Sequence, residues 1–188
     1  DAVFQNLKIA EEKSDVLSKL NLETDNYILL TAHRAENTDK MERLEGLLEG
    51  ASMVGKNVLK NVVYPIHPRT KKMIENFKIS IPENIALVDP VGFLDFLLLQ
   101  KNAHLILTDS GGVQEESCIL RVPCVTLRDN TERPETVEVG GNILAGINSA
   151  TILEKSQEIL TKARNWSNPF GDGNSSKYII DHLTKSNS

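Results

Sequence analysis

The sequence has few basic residues, few aromatic residues and no long apolar run. Its 188 residues carry 21 Lys and Arg against 26 Asp and Glu, a formal net charge of −5, with no basic stripe interleaved with aromatic side chains. This composition argues against a nucleic-acid partner, so any anion site must be local. No apolar stretch is long enough to span a bilayer, so we expect no membrane partner. Asp1 opens a charged, helix-like segment and not a secretion signal, which predicts a cytoplasmic protein.

Cysteine is also scarce: the chain has two, Cys118 and Cys124. They lie six residues apart around a predicted helix-to-strand connection, and no second pair of ligands accompanies them. We interpret both as buried thiols, and not as a disulfide or a zinc pair. We therefore expect neither a metal ion nor a cofactor.

Apolar strand-like runs alternate with amphipathic helical runs along the chain. The predicted strands are Tyr27–Ala32, Val62–Ile66, Ile85–Val88, Leu105–Thr108, Cys124–Leu127 and Ile143–Ala145. The predicted helices between them are Lys40–Met53, Pro68–Phe77, Phe93–Lys101 and Val113–Leu120. Such alternation predicts an α/β fold, an open parallel sheet of about six strands with helices on both faces. The length suits a single domain over residues 1–188.

Four polar loops each follow a predicted strand. In a parallel sheet the carboxyl ends of the strands lie along one edge, which is where open α/β sheets bind ligands. We therefore expect the loops to meet there, and their convergence is more informative than any single motif. They are His33–Asp39, His67–Thr70, Asp89–Gly92 and Asp109–Gly112.

The most informative of these loops runs directly from a buried strand into a helix. Glycines at 111 and 112 would let backbone N–H groups approach a phosphate closely, and a helix amino terminus adds unpaired donors and partial positive charge. Glu116 follows one turn after Gly112, where a carboxylate could accept both hydroxyls of a ribose. The alternative is a plain strand-to-helix turn with Ser110 as N-cap and two solvated glutamates.

Two histidines stand in the other loops. His33 lies beside Arg34 just past a strand, on the predicted binding edge, which indicates contact with a ligand. His67 precedes Pro68, which is placed to begin a helix, so a structural role as N-cap is at least as well supported as a functional one.

The remaining loops offer an aromatic side chain and a charged cluster. The backbone near Phe96 could read a base edge while Phe93 or Phe96 lies against the ring, although an aromatic at helical spacing also suits the core. Residues 128–135 hold several acids and two arginines, a composition typical of a solvated loop. Arg133, before a rigid proline, is nevertheless well placed to hold a diphosphate.

Both ends of the chain look less self-contained than its middle. Residues 1–20 predict a helix with no strand before it, and residues 165–188 predict a terminal helical segment after a break. Such segments often pack on a partner. Trp166 could be a core plug under a loop or the crossing point to a neighbouring domain.

Four stretches, taken in order, resemble the carboxyl-terminal half of the non-hydrolysing UDP-N-acetylglucosamine 2-epimerases. They are Thr31-Ala-His-Arg-x-Glu-Asn37, Phe93-Leu-x-Phe96, Thr108-Asp-Ser-Gly-Gly-Val-Gln-Glu-Glu116 and Arg128-Asp-x-Thr-Glu-Arg-Pro-Glu135. The resemblance covers nearly the whole chain. It implies a UDP-binding, Rossmann-like domain, the second of two in a GT-B-type fold, with residues 1–20 and 165–188 packed on a missing amino-terminal domain.

The resemblance also implies a set of residues around a bound UDP-sugar. They are Ser110, Gly111 and Gly112 on the diphosphate, Glu116 on the ribose, the backbone at Phe96 on the uracil, and His33 and Arg133 beside the diphosphate. His33 is the member implied to be catalytic. In bacterial relatives Arg34 and His67 would help to hold a second, activating UDP-N-acetylglucosamine. This chain departs from that pattern, with Ala35 where a second arginine is common and His67-Pro-Arg69 where an asparagine is frequent.

The implied reaction interconverts UDP-N-acetylglucosamine and UDP-N-acetylmannosamine by eliminating UDP and adding it back. The carboxylates that move the C2 proton come from the family's amino-terminal domain, so we expect this chain alone to be inactive and the full-length protein to be a homodimer. Two alternatives remain: the donor-binding half of a GT-B glycosyltransferase, and a nucleotide-sugar binding module without catalysis. The pairing of the Gly-Gly motif with Thr-Glu-Arg-Pro-Glu favours the epimerase over the transferase.

Overall fold

A six-stranded, all-parallel sheet forms the centre of the molecule. The structure, a computed structural model, describes residues 1–185, so the last three residues of the predicted terminal segment lie outside it. The strands are β1 (Tyr27–Thr31), β2 (Asn61–Pro65), β3 (Ile85–Val88), β4 (Leu105–Thr108), β5 (Cys124–Thr126) and β6 (Asn142–Leu144). The prediction of an open, parallel, Rossmann-like sheet is confirmed.

Helices connect the strands and cover both faces of the sheet. They are α1 (Ala2–Lys13), α2 (Val16–Lys19), α3 (Ala35–Thr38), α4 (Met41–Val58), α5 (Pro68–Phe77), α6 (Phe93–Asn102), α7 (Gly111–Leu120), α8 (Pro134–Glu138), α9 (Ser149–Leu160) and α10 (Ser175–Lys185). No helix within residues 1–185 is both long and apolar enough to cross a bilayer.

Strand β1 shows why its sequence is an unbroken apolar run. Side chains alternate between the two faces of a strand, and helices cover both faces here. Ile28 and Leu30 pack into the core beneath α4 and α9, whereas Tyr27 and Leu29 pack into the core beneath α1 and α6. All five residues of β1 are buried, and its one polar side chain, Thr31 at the carboxyl end, forms a hydrogen bond with the Thr108 hydroxyl at 2.6 Å.

The strand order places a topological switch point beside β1. The order is β3-β2-β1-β4-β5-β6, so the chain leaves β1 toward β2 and later returns to add β4 on the other side. The loops after β1 and β4 therefore diverge in opposite directions and leave a crevice at the carboxyl edge, where sheets of this class bind ligands.

Several predicted helices begin or end elsewhere. The helix predicted over Lys40–Met53 spans Met41–Val58. The predicted helix over residues 1–20 divides at Ser14, which has extended dihedrals and whose hydroxyl donates to Asp95 at 2.5 Å. Helix α7 begins at Gly111, two residues before the predicted start, which puts both glycines in its first turn. The N-cap alternative for His67 is confirmed, because its Nδ1 accepts from the Arg69 N–H at 3.2 Å in front of Pro68.

Trp166 is a core plug. It is 7% exposed, and its indole N–H donates to the Cys118 carbonyl at 3.0 Å near the end of α7. The indole also lies so close to Gly141 that a Cβ there would be 2.8 Å from it. Cys118 and Cys124 are buried free thiols as predicted, and burial raises their pKa values to about 11 and about 12.

Replacing Trp166 by alanine should destabilise the chain strongly. The indole fills the space beneath its loop, and its loss leaves a cavity and removes one hydrogen bond to the Cys118 carbonyl, a change that costs about 3–5 kcal/mol of the free energy of unfolding. Urea denaturation followed by circular dichroism measures this. Phe170→Ala, in the same segment but only partly buried, is the control and should cost clearly less. Equal costs would contradict the assignment of Trp166 as a plug.

Candidate ligand site at the carboxyl edge of the sheet

A cavity of about 310 Å³ opens at the switch point. All four predicted loops contribute to its lining: His33 after β1, His67 after β2, Pro90 and Val91 after β3, and Ser110 after β4. Phe96 from α6 completes one side. The predicted convergence of these loops on one edge is therefore confirmed.

The predicted site residues divide into two groups, apart from Arg34, which does not line the cavity and whose backbone N–H donates to Asp109. Those that line the cavity are His33, Phe96 and Ser110, together with His67. Those that stand outside its lining, on α7 or against it, are Gly111, Gly112, Glu116 and Arg133. Helix α7 thus joins the cavity to the second group.

The amino end of α7 has free backbone donors. The first hydrogen bond along the helix runs from the Gln114 N–H to the Ser110 carbonyl at 3.2 Å. The N–H groups of residues 111–113 therefore have no acceptor within the helix. Ser110 occupies the N-cap position, but its hydroxyl makes no capping hydrogen bond. The predicted position of Ser110 as N-cap is therefore confirmed, without a hydrogen bond from its side chain.

The fold itself does not demand glycine at this end of α7. A Cβ at Gly112 would meet only the Ser110 Oγ at 4.0 Å, and one at Gly111 only a Glu132 oxygen at 3.7 Å. Neither glycine has the positive φ that disfavours other residues. The space that a side chain would occupy is open to a ligand approaching the backbone.

A buried carboxylate holds the loop after β1 against this helix end. Asp109 is 0% exposed. It accepts hydrogen bonds from the N–H of His33 at 3.0 Å, the N–H of Arg34 at 2.9 Å and the Asn37 side-chain amide at 3.2 Å. Sequence reasoning assigned Asp109 no role, although a carboxylate directly after a fully buried strand was a usable signal.

Asp109 also contacts the side chain of His33. The imidazole Nδ1 lies 3.3 Å from an Asp109 oxygen. This hydrogen bond raises the pKa of His33, while partial burial and the neighbouring Arg34 oppose the rise. The His33 ring is half exposed and lines the cavity, so the structure presents a readily protonated imidazole to it.

The two glutamates of the motif have different partners. Glu116 is partly buried and accepts a hydrogen bond from the Gln100 amide at 2.6 Å. Its burial raises the pKa of the carboxyl, partly offset by Gln100. Glu115 instead forms an ion pair with Arg133. The alternative of two solvated glutamates is therefore wrong.

The charged loop after β5 is ordered by an arginine that sequence reasoning did not single out. Arg128 is 6% exposed, and its guanidinium donates to Glu36 at 2.8 Å and to Glu132 at 2.7 Å. Both contacts raise the pKa of Arg128, the one to Glu132 most. Because carboxylates from both sides contact Arg128, this residue links α3 to the loop after β5. Of the two arginines in this loop, Arg133 is the one that can exchange partners.

Comparisons with known proteins identify the family of this chain. A family model described as UDP-N-acetylglucosamine 2-epimerase matches residues 1–184. The chain is 53% identical to the UDP-N-acetylglucosamine 2-epimerase of Methanocaldococcus jannaschii, over 98% of this chain and 52% of the relative. A crystal structure of that enzyme in complex with UDP-GlcNAc and UDP superposes with a TM-score of 0.88.

A bacterial structure gives the same result at lower identity. The Neisseria meningitidis UDP-GlcNAc 2-epimerase bound to UDP-GlcNAc is 34% identical, with a TM-score of 0.80 over 97% of this chain and 52% of that one. The chain thus spans about half the length of the relatives it matches. It belongs to the UDP-N-acetylglucosamine 2-epimerase family.

Proposed function

We propose that this chain is the UDP-binding half of an enzyme that interconverts UDP-N-acetylglucosamine and UDP-N-acetylmannosamine. The observation that carries the proposal is the amino end of α7. Two glycines that the fold does not require lie there beside unpaired N–H donors and a cavity at the switch point. Family membership supplies the substrate class, and favours the epimerase over a GT-B glycosyltransferase or a binding module.

The diphosphate lies at the amino end of α7. There the N–H groups of Gly111 and Gly112 donate to its oxygens, the Ser110 hydroxyl adds a donor, and the helix dipole favours negative charge. The uracil lies in the cavity against the backbone at Phe96. The apolar side chain of Val91 also lines this cavity. Because the whole chain carries a formal net charge of −5, this local positive potential is what attracts a diphosphate.

Glu116 binds the ribose. The Gln100 amide holds one of its oxygens, so the other is left to accept from the ribose hydroxyls. Partial burial makes such a charged hydrogen bond stronger than it would be in water.

His33 is the catalytic residue of this half. With Nδ1 engaged by Asp109, Nε2 is the ring nitrogen left for the diphosphate. A protonated imidazole there stabilises the charge that develops as UDP leaves, and Arg133 does so after exchanging Glu115 for phosphate. His67, on the same cavity, and Arg34, beside His33, are the residues that a second UDP-N-acetylglucosamine would contact.

The proton transfers at C2 belong to the half of the family protein that this chain does not cover. Helix α10 supports a packing surface for such a half, since Tyr178, Ile179, Ile180 and Leu183 are each 58–61% exposed on it. Asp1 accepts from the N–H groups of Ser175 and Ser176, which ties this helix to the start of α1.

Titration calorimetry tests the nucleotide assignment. The chain should bind UDP and UDP-N-acetylglucosamine with comparable, weak affinity, because the sugar faces away from these residues. ADP should bind about tenfold more weakly, since a site that pairs with uracil leaves polar groups unmatched against adenine. Equal or tighter binding of ADP would overturn the uracil assignment.

Gly112→Val and Glu116→Ala test the two ends of the nucleotide separately. The valine should abolish UDP binding by blocking backbone approach, yet change the free energy of unfolding by less than about 1 kcal/mol, because its Cβ enters open space. Glu116→Ala should weaken UDP binding by about 1–3 kcal/mol through lost charged hydrogen bonds. Glu154→Ala, an exposed acid on α9, is the control and should not change affinity. Normal binding by Gly112→Val would contradict the diphosphate position.

Asp109→Asn should lower the pKa of His33. The hydrogen bond from Asp109 is the largest cause of the raised pKa, and its charge is lost in the variant. The protonated form of His33 therefore gives way to the neutral form at a lower pH than in the parent chain, which an NMR titration of the His33 imidazole measures. Asp129→Asn removes an exposed charge bound to Arg43 and should leave the His33 pKa unchanged. Equal effects of the two variants would contradict the pairing.

A further inference from the structure

Hydrogen bonds fix both sides of the Arg133 backbone to a single side-chain atom. The Arg133 N–H donates to the Thr131 hydroxyl at 2.9 Å, and that hydroxyl donates to the Gln114 Oε1 at 2.5 Å. On the other side, the Arg133 carbonyl accepts from the Thr136 hydroxyl at 2.7 Å. The Asn142 amide donates to that hydroxyl at 3.0 Å and to the Gln114 Oε1 at 3.2 Å. These five residues form a closed ring, the Gln114 ring.

The ring is anchored in the core. Gln114 and Thr136 are 0% exposed and Asn142 is 2% exposed. The Asn142 side chain is oriented from β5, since its Oδ1 accepts from the Thr126 hydroxyl at 2.9 Å. The Gln114 Oε1 accepts both hydrogen bonds that close the ring, whereas its buried Nε2 has no partner. Loss of the Oε1 contacts would leave the Thr131 and Asn142 donors without this acceptor, which holds the ring in place.

Gln114 connects the ring to the amino end of α7, which presents the backbone donors. It lies in α7, one turn after Gly111, so the helix that presents the backbone donors also carries the acceptor that holds Arg133. The guanidinium of Arg133 is held over the same helix by its ion pair with Glu115. Pro134, which directly follows Arg133, further restricts the loop.

We propose that Gln114 is a positioning residue for diphosphate binding. Through its Oε1 it holds the Arg133 backbone at a set distance from the amino end of α7, so that the guanidinium can move from Glu115 to a phosphate oxygen without reordering the loop. A preorganised arginine binds phosphate with less loss of conformational entropy than a mobile one. This inference rests on the proposed UDP site and adds to it a residue that need not touch the ligand.

A double-mutant cycle with Gln114→Met and Arg133→Ala tests the proposal on the 188-residue chain. Methionine matches glutamine in size and lacks the acceptor oxygen. Arg133→Ala should weaken UDP binding about 10- to 100-fold, the value of an arginine–phosphate hydrogen bond, and Gln114→Met about tenfold. In the Arg133→Ala background, Gln114→Met should have no further effect on UDP affinity. Neither substitution should change the affinity for uridine, which has no phosphate.

The controls separate positioning from stability. Ser52→Ala removes a hydrogen bond to Asn84 far from the site and should lower the melting temperature without changing UDP affinity. Thr131→Val cuts the ring at a second point and should reproduce the loss of UDP binding, even if Gln114→Met does not fold. Additive effects in the cycle, or an equal loss of uridine binding, would overturn the positioning role and leave the UDP site intact. Unchanged UDP binding by Arg133→Ala would overturn both the role of Gln114 and the assignment of Arg133.

Discussion

The buried carboxylate of Asp109 is the contact on which the geometry of the site depends. A buried charge is costly unless hydrogen bonds and an opposite charge compensate it. Here the compensation comes from the N–H groups of His33 and Arg34, the Asn37 amide and the His33 ring. Any displacement of the β1 loop would therefore leave Asp109 unpaired. The same loop is also held at its start, where the Ala32 carbonyl accepts from the buried hydroxyls of Tyr64 and Thr70 at 2.7 and 3.1 Å. The loop is thus fixed from both strands that flank β1.

Acidic side chains of α3, of α7 and of the loop after β5 are paired with arginines. Glu36 and Glu132 contact Arg128, and Glu115 contacts Arg133. Of these two arginines, Arg128 is buried between its partners, whereas Arg133 has a single acidic partner at its guanidinium and is part exposed. In the proposed site, a diphosphate can replace Glu115 as the partner of the Arg133 guanidinium at little cost in free energy. The reason is that an ion pair between solvent-accessible groups is weak. The amino end of α7 and the His33 imidazole complete the positive group.

The strands and the edge on which the loops meet were predictable from the sequence, because burial on both faces forces continuous apolar runs and the polar residues fall after them. The N-cap role of His67 was equally predictable from the local sequence, because proline, here Pro68, is favoured at the first position of a helix. The break at Ser14 did not follow, because its partner, Asp95, is distant in sequence. The Gln114 ring likewise joins α7 to the loop after β5, to α8 and to β6. Such contacts depend on packing, and no local pattern encodes them.

In the proposed reaction, binding and proton transfer place opposite demands on one protein surface, which favours placing them on two surfaces. A base that removes the C2 proton must keep an unpaired carboxylate near the sugar. In the structure each acidic side chain of residues 109–116 has a partner: Asp109 is held by the β1 loop, Glu115 by Arg133, and one oxygen of Glu116 by Gln100. A free carboxylate beside a protonated His33 would pair with it and weaken the stabilisation of the leaving UDP. An edge that gathers positive charge for a diphosphate is therefore a poor place for the base, and supplying the base from an opposing surface keeps both groups in the charge state that the reaction needs.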